Sequence, residues 1–231
     1  MRPKGEVMKS NNQQKIFLAG EGDAWYERNA GKLAQRADKH DRAVELVAAL
    51  PEKPLRVLEV GCGDGWRLEK LAKLNESMEL YGIDPSTVAV QAASGRVANI
   101  NTVQGVADSL PYPEEYFNVL IYGACLCWCG PDSLFRVACE GDRVLRDGGY
   151  VVVMDFFPPW PYRNPYHHRP GIATYKMDYR QLFNWHPAYS CVHHEVFSCT
   201  GDSGDRDPDN QMAVSMLRKA MADAFPKRGL Q

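Results

Sequence analysis

Glycines at 61, 63 and 65 follow a short apolar run, Val57-Leu-Glu-Val60, and lead into Trp66 and a helical pattern. Glycines so placed let the main chain turn tightly and let a ligand lie against it without side-chain obstruction. Asp84 ends the next apolar run, 19 residues beyond Gly65, where an acid can grip both ribose hydroxyls of a nucleoside. Two nucleoside ligands suit this arrangement, and chemistry separates them. A dinucleotide sets a pyrophosphate on a G-x-G-x-x-G turn, but Trp66 fills the place of its last glycine and Glu59 would repel phosphates. S-adenosylmethionine has no phosphate; it carries an ammonium and a sulfonium, which a carboxylate beside the turn suits. The pattern therefore favours S-adenosyl-L-methionine over a nicotinamide, with a ligand-free loop as the bland reading.

Other chemistry-bearing residues divide less cleanly. His167-His168 follow the apolar run that ends near Asp155, where ligands of open α/β sheets bind. A neutral imidazole there could take a proton from a hydroxyl acceptor, although two solvated loop histidines would look the same. Residues 155–190 hold 10 of the 24 aromatics. Trp160, Tyr162, Tyr166 and Tyr175 interleave with Arg163, Arg169 and Lys176, so the segment could stack a sugar ring and hold an anion, or simply pack on the sheet. Cys125, Cys127 and Cys129 read as one face of a strand end; without a C-x-x-C partner they are small buried residues, and no metal is expected.

These residues need a scaffold. Apolar strands are expected at 55–60, 78–84, 101–107, 117–124 and 150–156, with helices at 66–74, 86–98 and 135–145 between them, and this βα order implies a parallel sheet covered on both faces. Residues 189–199 and 212–219, joined by the polar loop 201–210, should form an antiparallel hairpin. Residues 1 to about 20 are polar and expected to fray, and helical spacing over 22–50 suggests a lid. The division is one domain over 1–231: a helical cap (1–50), a cofactor-binding core (51–156), a substrate-side insertion (157–188), and a hairpin with its tail (189–231).

The chain of 231 residues balances 27 Lys+Arg against 29 Asp+Glu. That near-neutrality argues against nucleic acid as the main partner. No apolar run reaches the 18 or so residues needed to span a bilayer. Seven cysteines, an odd number widely spread, read as reduced thiols of a cytoplasmic protein rather than a disulfide framework.

At this point Glu59–Gly65, Gly82-Ile-Asp84-Pro85, Gln104–Tyr112 with Phe117–Ile121, and Val144–Val152 resemble the class I S-adenosylmethionine-dependent methyltransferases over roughly residues 50–220. Residues 20–29 and 175–179 resemble small methyltransferases of bacterial surface-glycan pathways, the pseudaminic-acid-associated methylases among them, which implies polysaccharide biosynthesis. The first resemblance implies a Rossmann-like, seven-stranded α/β sheet ending in an antiparallel hairpin. It implies that Glu59, Gly61, Cys62, Gly63 and Gly65 hold the methionine end, and Asp84 with Pro85 the ribose. Ala107 and Asp108 would meet adenine, Tyr122 and Gly123 would border the methyl donor, and Trp25 and Arg28 would close over the cofactor. Val106 stands where many relatives have an acid, so adenine recognition moves to the main chain at Ala107 and the side chain of Asp108. Asn118 replaces an Asp that shapes the start of its strand. The expected reaction is O-methylation of a sugar or glycan hydroxyl, with a natural product as the alternative acceptor. Asp155, His167 or His168 would orient or deprotonate the acceptor, and Trp160, Tyr162, Tyr166, Tyr175 and Lys176 would bind it. A dehydrogenase, a non-catalytic nucleoside-binding protein and a homo-oligomer stay open.

Overall fold

The computed structural model describes residues 13–36, 39–52, 55–96 and 99–229. The cap starts at α1 (Gln13–Ile16), passes a π turn over Phe17–Glu21 bent at Gly20 (φ 121°), and continues as α2 (Gly22–Ala34). Of the expected frayed segment, residues 1–12 lie outside the described residues. Gln13 and Gln14 are instead buried. The Gln13 amide donates to Trp128 O (2.7 Å) and Ala173 O (2.9 Å) and accepts from Ala173 N (3.1 Å). A polar residue fully matched by main chain can be buried cheaply, so polarity misled the sequence reading here. In α3 (Arg42–Ala48), Asp41 is the N-cap, its carboxylate accepting from Val44 N at 2.9 Å.

The core alternates as expected: β1 (Arg56–Val60), α4 (Trp66–Leu74), β2 (Glu79–Asp84), α5 (Thr87–Ser94), β3 (Ile100–Gln104), β4 (Phe117–Gly123), a 3-10 turn (Leu126–Trp128), α6 (Leu134–Val144) and β5 (Leu145–Phe156). The insertion contains a hairpin not foreseen from sequence, β6 (Tyr162–Pro165) with β7 (Ala173–Lys176), and a short α7 (Gln181–Asn184). The chain closes with β8 (Tyr189–Ser198) and β9 (Gln211–Lys219).

The seven-stranded sheet has the order β3-β2-β1-β4-β5-β9-β8. Its first five strands are parallel, and β9 runs antiparallel to both β5 and β8. Period-two alternation splits its side chains into two layers. Leu58, Val60, Leu120, Tyr122, Val151 and Val153 pack in one; Val57, Val119, Ile121 and Val152 pack in the other with α3 and α4. Asn118 braces the neighbouring strand: its side-chain oxygen accepts Arg56 N at 2.9 Å, at the start of β1. Among the described residues no helix is long and apolar enough to cross a membrane.

Candidate functional site

The carboxyl ends of β1, β2 and β4 open onto a cavity of about 300 Å³ roofed by α1, the π turn and α2. Its floor is the glycine turn. Gly61, Gly63 and Gly65 have φ of 72°, 54° and 74°, a left-handed region that only glycine enters freely. A Cβ on Gly61 would overlap Cys125, whereas one on Gly63 would meet nothing and project into the cavity space it lines. Gly61 N donates to Ile83 O (2.7 Å), which ties the turn to β2.

Asp84 joins turn and helix. Its carboxylate accepts from Gly63 N and Ser86 N, each at 2.9 Å. Burial pushes the carboxyl up to about 6 despite those donors. Each oxygen keeps a lone pair for a further donor, as a ribose diol requires. Ser86 caps α5 through Ala89 N (3.0 Å) and donates to Asp23 at 2.7 Å, anchoring the start of α2 beside Asp84.

Glu59 shares the β1 face of Val57 and so turns toward α3 and α4. There Arg67 bridges it to Asp41, meeting Asp41 at 3.1 and 3.2 Å and Glu59 through Nη1. All three are buried. Burial raises Glu59 to about 7 against the pull of Arg67. Burial also raises Asp41, but the charge and hydrogen bonds of Arg67 outweigh it and hold that carboxyl below the usual range. Glu59 Oε2 is buried with no partner, on a residue that lines the cavity. An ammonium placed there would satisfy it. This orphan acceptor, the open glycine cradle and Asp84 fit S-adenosyl-L-methionine.

The other cofactor-side residues divide. Cys62, Pro85, Ala107, Gly123 and Trp25 line the cavity. Tyr122 does not: it faces the opposite layer with Leu120 and packs on Phe183. Arg28 is drawn away by Glu21 and Tyr166. Asp108 is off the wall, paired with Arg136 at 3.2 Å and offered the Gln14 amide.

The acceptor-side expectations move further. From residues 157–188, none reaches the cavity wall. Asp155 lies on the face of Val151 and Val153 and is buried. It accepts from Cys127 N (3.2 Å) and Phe156 N (2.8 Å), so it braces the 3-10 turn. His167 and His168 are exposed, their rings 3.9 Å apart, outside Tyr166. Trp160 is 62% exposed. Tyr162 and Lys176 hold Asp209 at 2.5 and 2.8 Å, and Tyr175 pairs with Arg163 across the β6–β7 hairpin. Tyr166 and Lys176 come nearest: the Tyr166 ring is 5.0 Å from that of Trp128 and the Lys176 ammonium 3.7 Å from that of Phe156, both wall residues.

Sequence reasoning missed the residues that replace them. Cys125, Cys127 and Cys129 are not on a strand: β4 ends at Gly123 and Ala124 (φ 58°) turns the chain. All three line the cavity with Trp128 and Phe156, and burial pushes their thiols up, Cys129 to about 12, so they stay neutral. From α2 come Asn29, Lys32 and Leu33 beside the expected Trp25, with Arg36 just beyond its end. Their spacing of four, three, one and three residues was a legible helical stripe.

Residues 58–153 match a family described as a methyltransferase domain. Over this stretch, less than half of the chain, the sequence is similar to methyltransferase domains. The chain is 31% identical over 106 residues to a phthiotriol/phenolphthiotriol dimycocerosates methyltransferase of Mycobacterium ulcerans, 45% of this chain and 38% of that one. It is 32% identical over 117 residues to a ubiquinone/menaquinone biosynthesis C-methyltransferase of Vibrio vulnificus, 45% of this chain and 42% of that one. The matches thus span less than half the length of these curated relatives. The fold is shared over a longer stretch with a Burkholderia thailandensis 1,6-didemethyltoxoflavin-N1-methyltransferase solved with S-adenosylhomocysteine. The TM-score is 0.71 at 13% identity, over 94% of this chain and 93% of that one.

Proposed function

We propose that the chain transfers a methyl group from S-adenosyl-L-methionine to a small-molecule acceptor held between α2 and the 125–129 turn. The acceptor is read as a ring-bearing molecule, with a hydroxyl of a sugar or glycan intermediate methylated on oxygen. The aromatic walls Trp25, Trp128 and Phe156 suit such a ring. They equally favour the second reading, a flatter natural product.

When bound, the cofactor supplies a methyl already activated by its sulfonium. Asp84 holds the ribose and Glu59 Oε2 the ammonium, while the positive charge of Arg67 pulls Glu59 toward its ionised form against the effect of burial. The α2 roof and the neutral thiols exclude water, so the residues contribute chiefly alignment and desolvation. Among the described residues no histidine lines the cavity, and a hydroxyl acceptor would release its proton to water at the mouth.

The observation that carries this reading is the unpartnered Glu59 oxygen above an open glycine cradle, beside Asp84. Calorimetry with S-adenosylhomocysteine tests it. Wild-type protein should bind, and Asp84→Ala should bind about 10–100-fold more weakly, the scale of a lost charge-assisted hydrogen bond. Failure of the wild-type chain to bind sinks the reading; unchanged affinity in the variant removes Asp84 from the site.

A further inference from the structure

The cavity wall carries two cations that the cofactor reading does not use. Lys32 and Arg36 are exposed, line the cavity, and among the described residues make no ion pair or side-chain hydrogen bond. They sit four residues apart, so successive turns present both to one side. Arg67, by contrast, is consumed by two buried carboxylates.

Distance along α2 separates these cations from the cofactor. The helix starts against the ribose end, where a Cβ on Gly22 would lie 3.0 Å from Pro85 and Ser86 backbone atoms. Its residues at 22, 25, 29, 32 and 33 all line the cavity, so the helix runs along that space. At a rise of 1.5 Å per residue, Lys32 lies roughly 15 Å beyond that contact and Arg36 roughly 20 Å. Arg36 reaches the region of Cys199, past the end of β8, and bears on its thiol. The methionyl arm of S-adenosylmethionine has five bonds from ribose C5′ to its carboxyl carbon, about 6–7 Å when extended, since a zigzag of roughly 1.5 Å bonds advances about 1.3 Å per bond. Even with long side chains reaching back, the two cations stand farther from the ribose than the end of that arm.

The geometry points to an acidic acceptor: Lys32 and Arg36 form a clamp for a carboxylate or phosphate on the substrate, remote from the atom that is methylated. This rests on the methyltransferase reading and narrows its substrate class. The apolar stretch between the clamp and the glycine turn, Leu33 and Phe156 with Trp128, would hold the ring or apolar body of the same molecule. Guanidinium and ammonium together accept either anion, the guanidinium through paired donors.

The test uses the full chain saturated with S-adenosylhomocysteine and three probes: phenylacetate, phenyl phosphate and neutral phenylacetamide. Calorimetry or ligand-observed NMR should show at least one anion binding about tenfold more tightly than the amide. That preference should vanish in Lys32→Gln/Arg36→Gln while S-adenosylhomocysteine affinity stays within about twofold. Arg36→Lys in the Lys32→Gln background should restore part of it. Which anion binds tells carboxylate from phosphate. The proposal is overturned if neither anion outcompetes the amide on the wild-type chain. It is also overturned if the double variant weakens S-adenosylhomocysteine and spares the probes, because the cations would then serve the cofactor's own carboxylate. Absence of S-adenosylhomocysteine binding by the wild-type chain is a different result, and it strikes the methyltransferase reading instead.

Discussion

Replacing Arg67 with methionine keeps a stem of similar length and removes the one charge that Asp41 and Glu59 share. Those side chains are 4% and 1% exposed, so water cannot take over. Stranding a buried ion by removing its partner costs about 3–5 kcal/mol. For a chain of this size about 1 kcal/mol moves Tm by roughly 2–4 °C, which predicts a fall of roughly 6–20 °C near pH 8. The pH dependence has a definite sign. Glu59 is raised to about 7 in the folded protein even with Arg67 present, against about 4.3 when unfolded. The folded state therefore holds this proton more tightly, and stability from this group falls as pH rises from the carboxylate range through about 7. Without Arg67 the carboxyl rises further, so the deficit of Arg67→Met should be largest near pH 8 and shrink toward pH 5.5. Scanning calorimetry of wild type, Arg67→Met and Glu59→Gln/Arg67→Met at both pH values measures this, and the double variant should recover part of the loss. A fall of less than about 2 °C near pH 8, or an equal deficit at both pH values, would refute the account of the buried triad.

Three further outcomes are expected. S-adenosylhomocysteine affinity should rise roughly tenfold between about pH 5.5 and pH 7.5 and then level, because an ammonium and a diol favour ionised Glu59 and Asp84, raised to about 7 and about 6. Calorimetry in two buffers of different ionisation enthalpy should show proton release in the acidic range, and a flat profile would detach Glu59 from the ammonium. Gly63→Ala should weaken S-adenosylhomocysteine binding more than it lowers Tm. Its Cβ meets no protein atom, so only a left-handed strain of about 1–2 kcal/mol reaches stability; equal binding by the variant would place the ligand elsewhere. His167→Ala and His168→Ala should each keep most of the turnover with intact cofactor affinity, since neither ring lines the cavity. A loss of roughly 100-fold in either would restore a histidine base.

What was legible in the sequence was what is written locally. The strand alternation, the glycine turn, Asp84 and the closing hairpin each follow from patterns a few residues long, and each stands where expected. The acceptor side was not legible, because side-chain direction after β5 depends on the β6–β7 pairing, in which Tyr162 opposes Lys176 and both turn to Asp209. The Asp41–Arg67–Glu59 triad joins residues 26 and 8 positions apart on three elements, and no spacing rule announces such a contact. Lys32 and Arg36 carry no sequence signal of their own, since charge alone does not say what lies beneath a helix face. The cysteines misled for a smaller reason: one left-handed residue, Ala124, ends the alternation on which a strand reading depends.

The place of β9 within the sheet has a consequence for how the chain is made. It follows all five parallel strands along the chain, yet it lies between β5 and β8 and pairs with β5 from Tyr150 to Phe156. Synthesis runs from the amino terminus, so the glycine turn, Asp84 and all five parallel strands emerge first. The 63 residues from Phe156 to Lys219 then take about 3–13 s at about 5–20 residues per second. During that interval β5 presents an unpaired edge, a template for another chain. A polypeptide that stalls before residue 211 would thus carry a finished cofactor cradle beside an open strand, and its fate would be sticking to its neighbours on the polysome rather than idling as an inactive monomer.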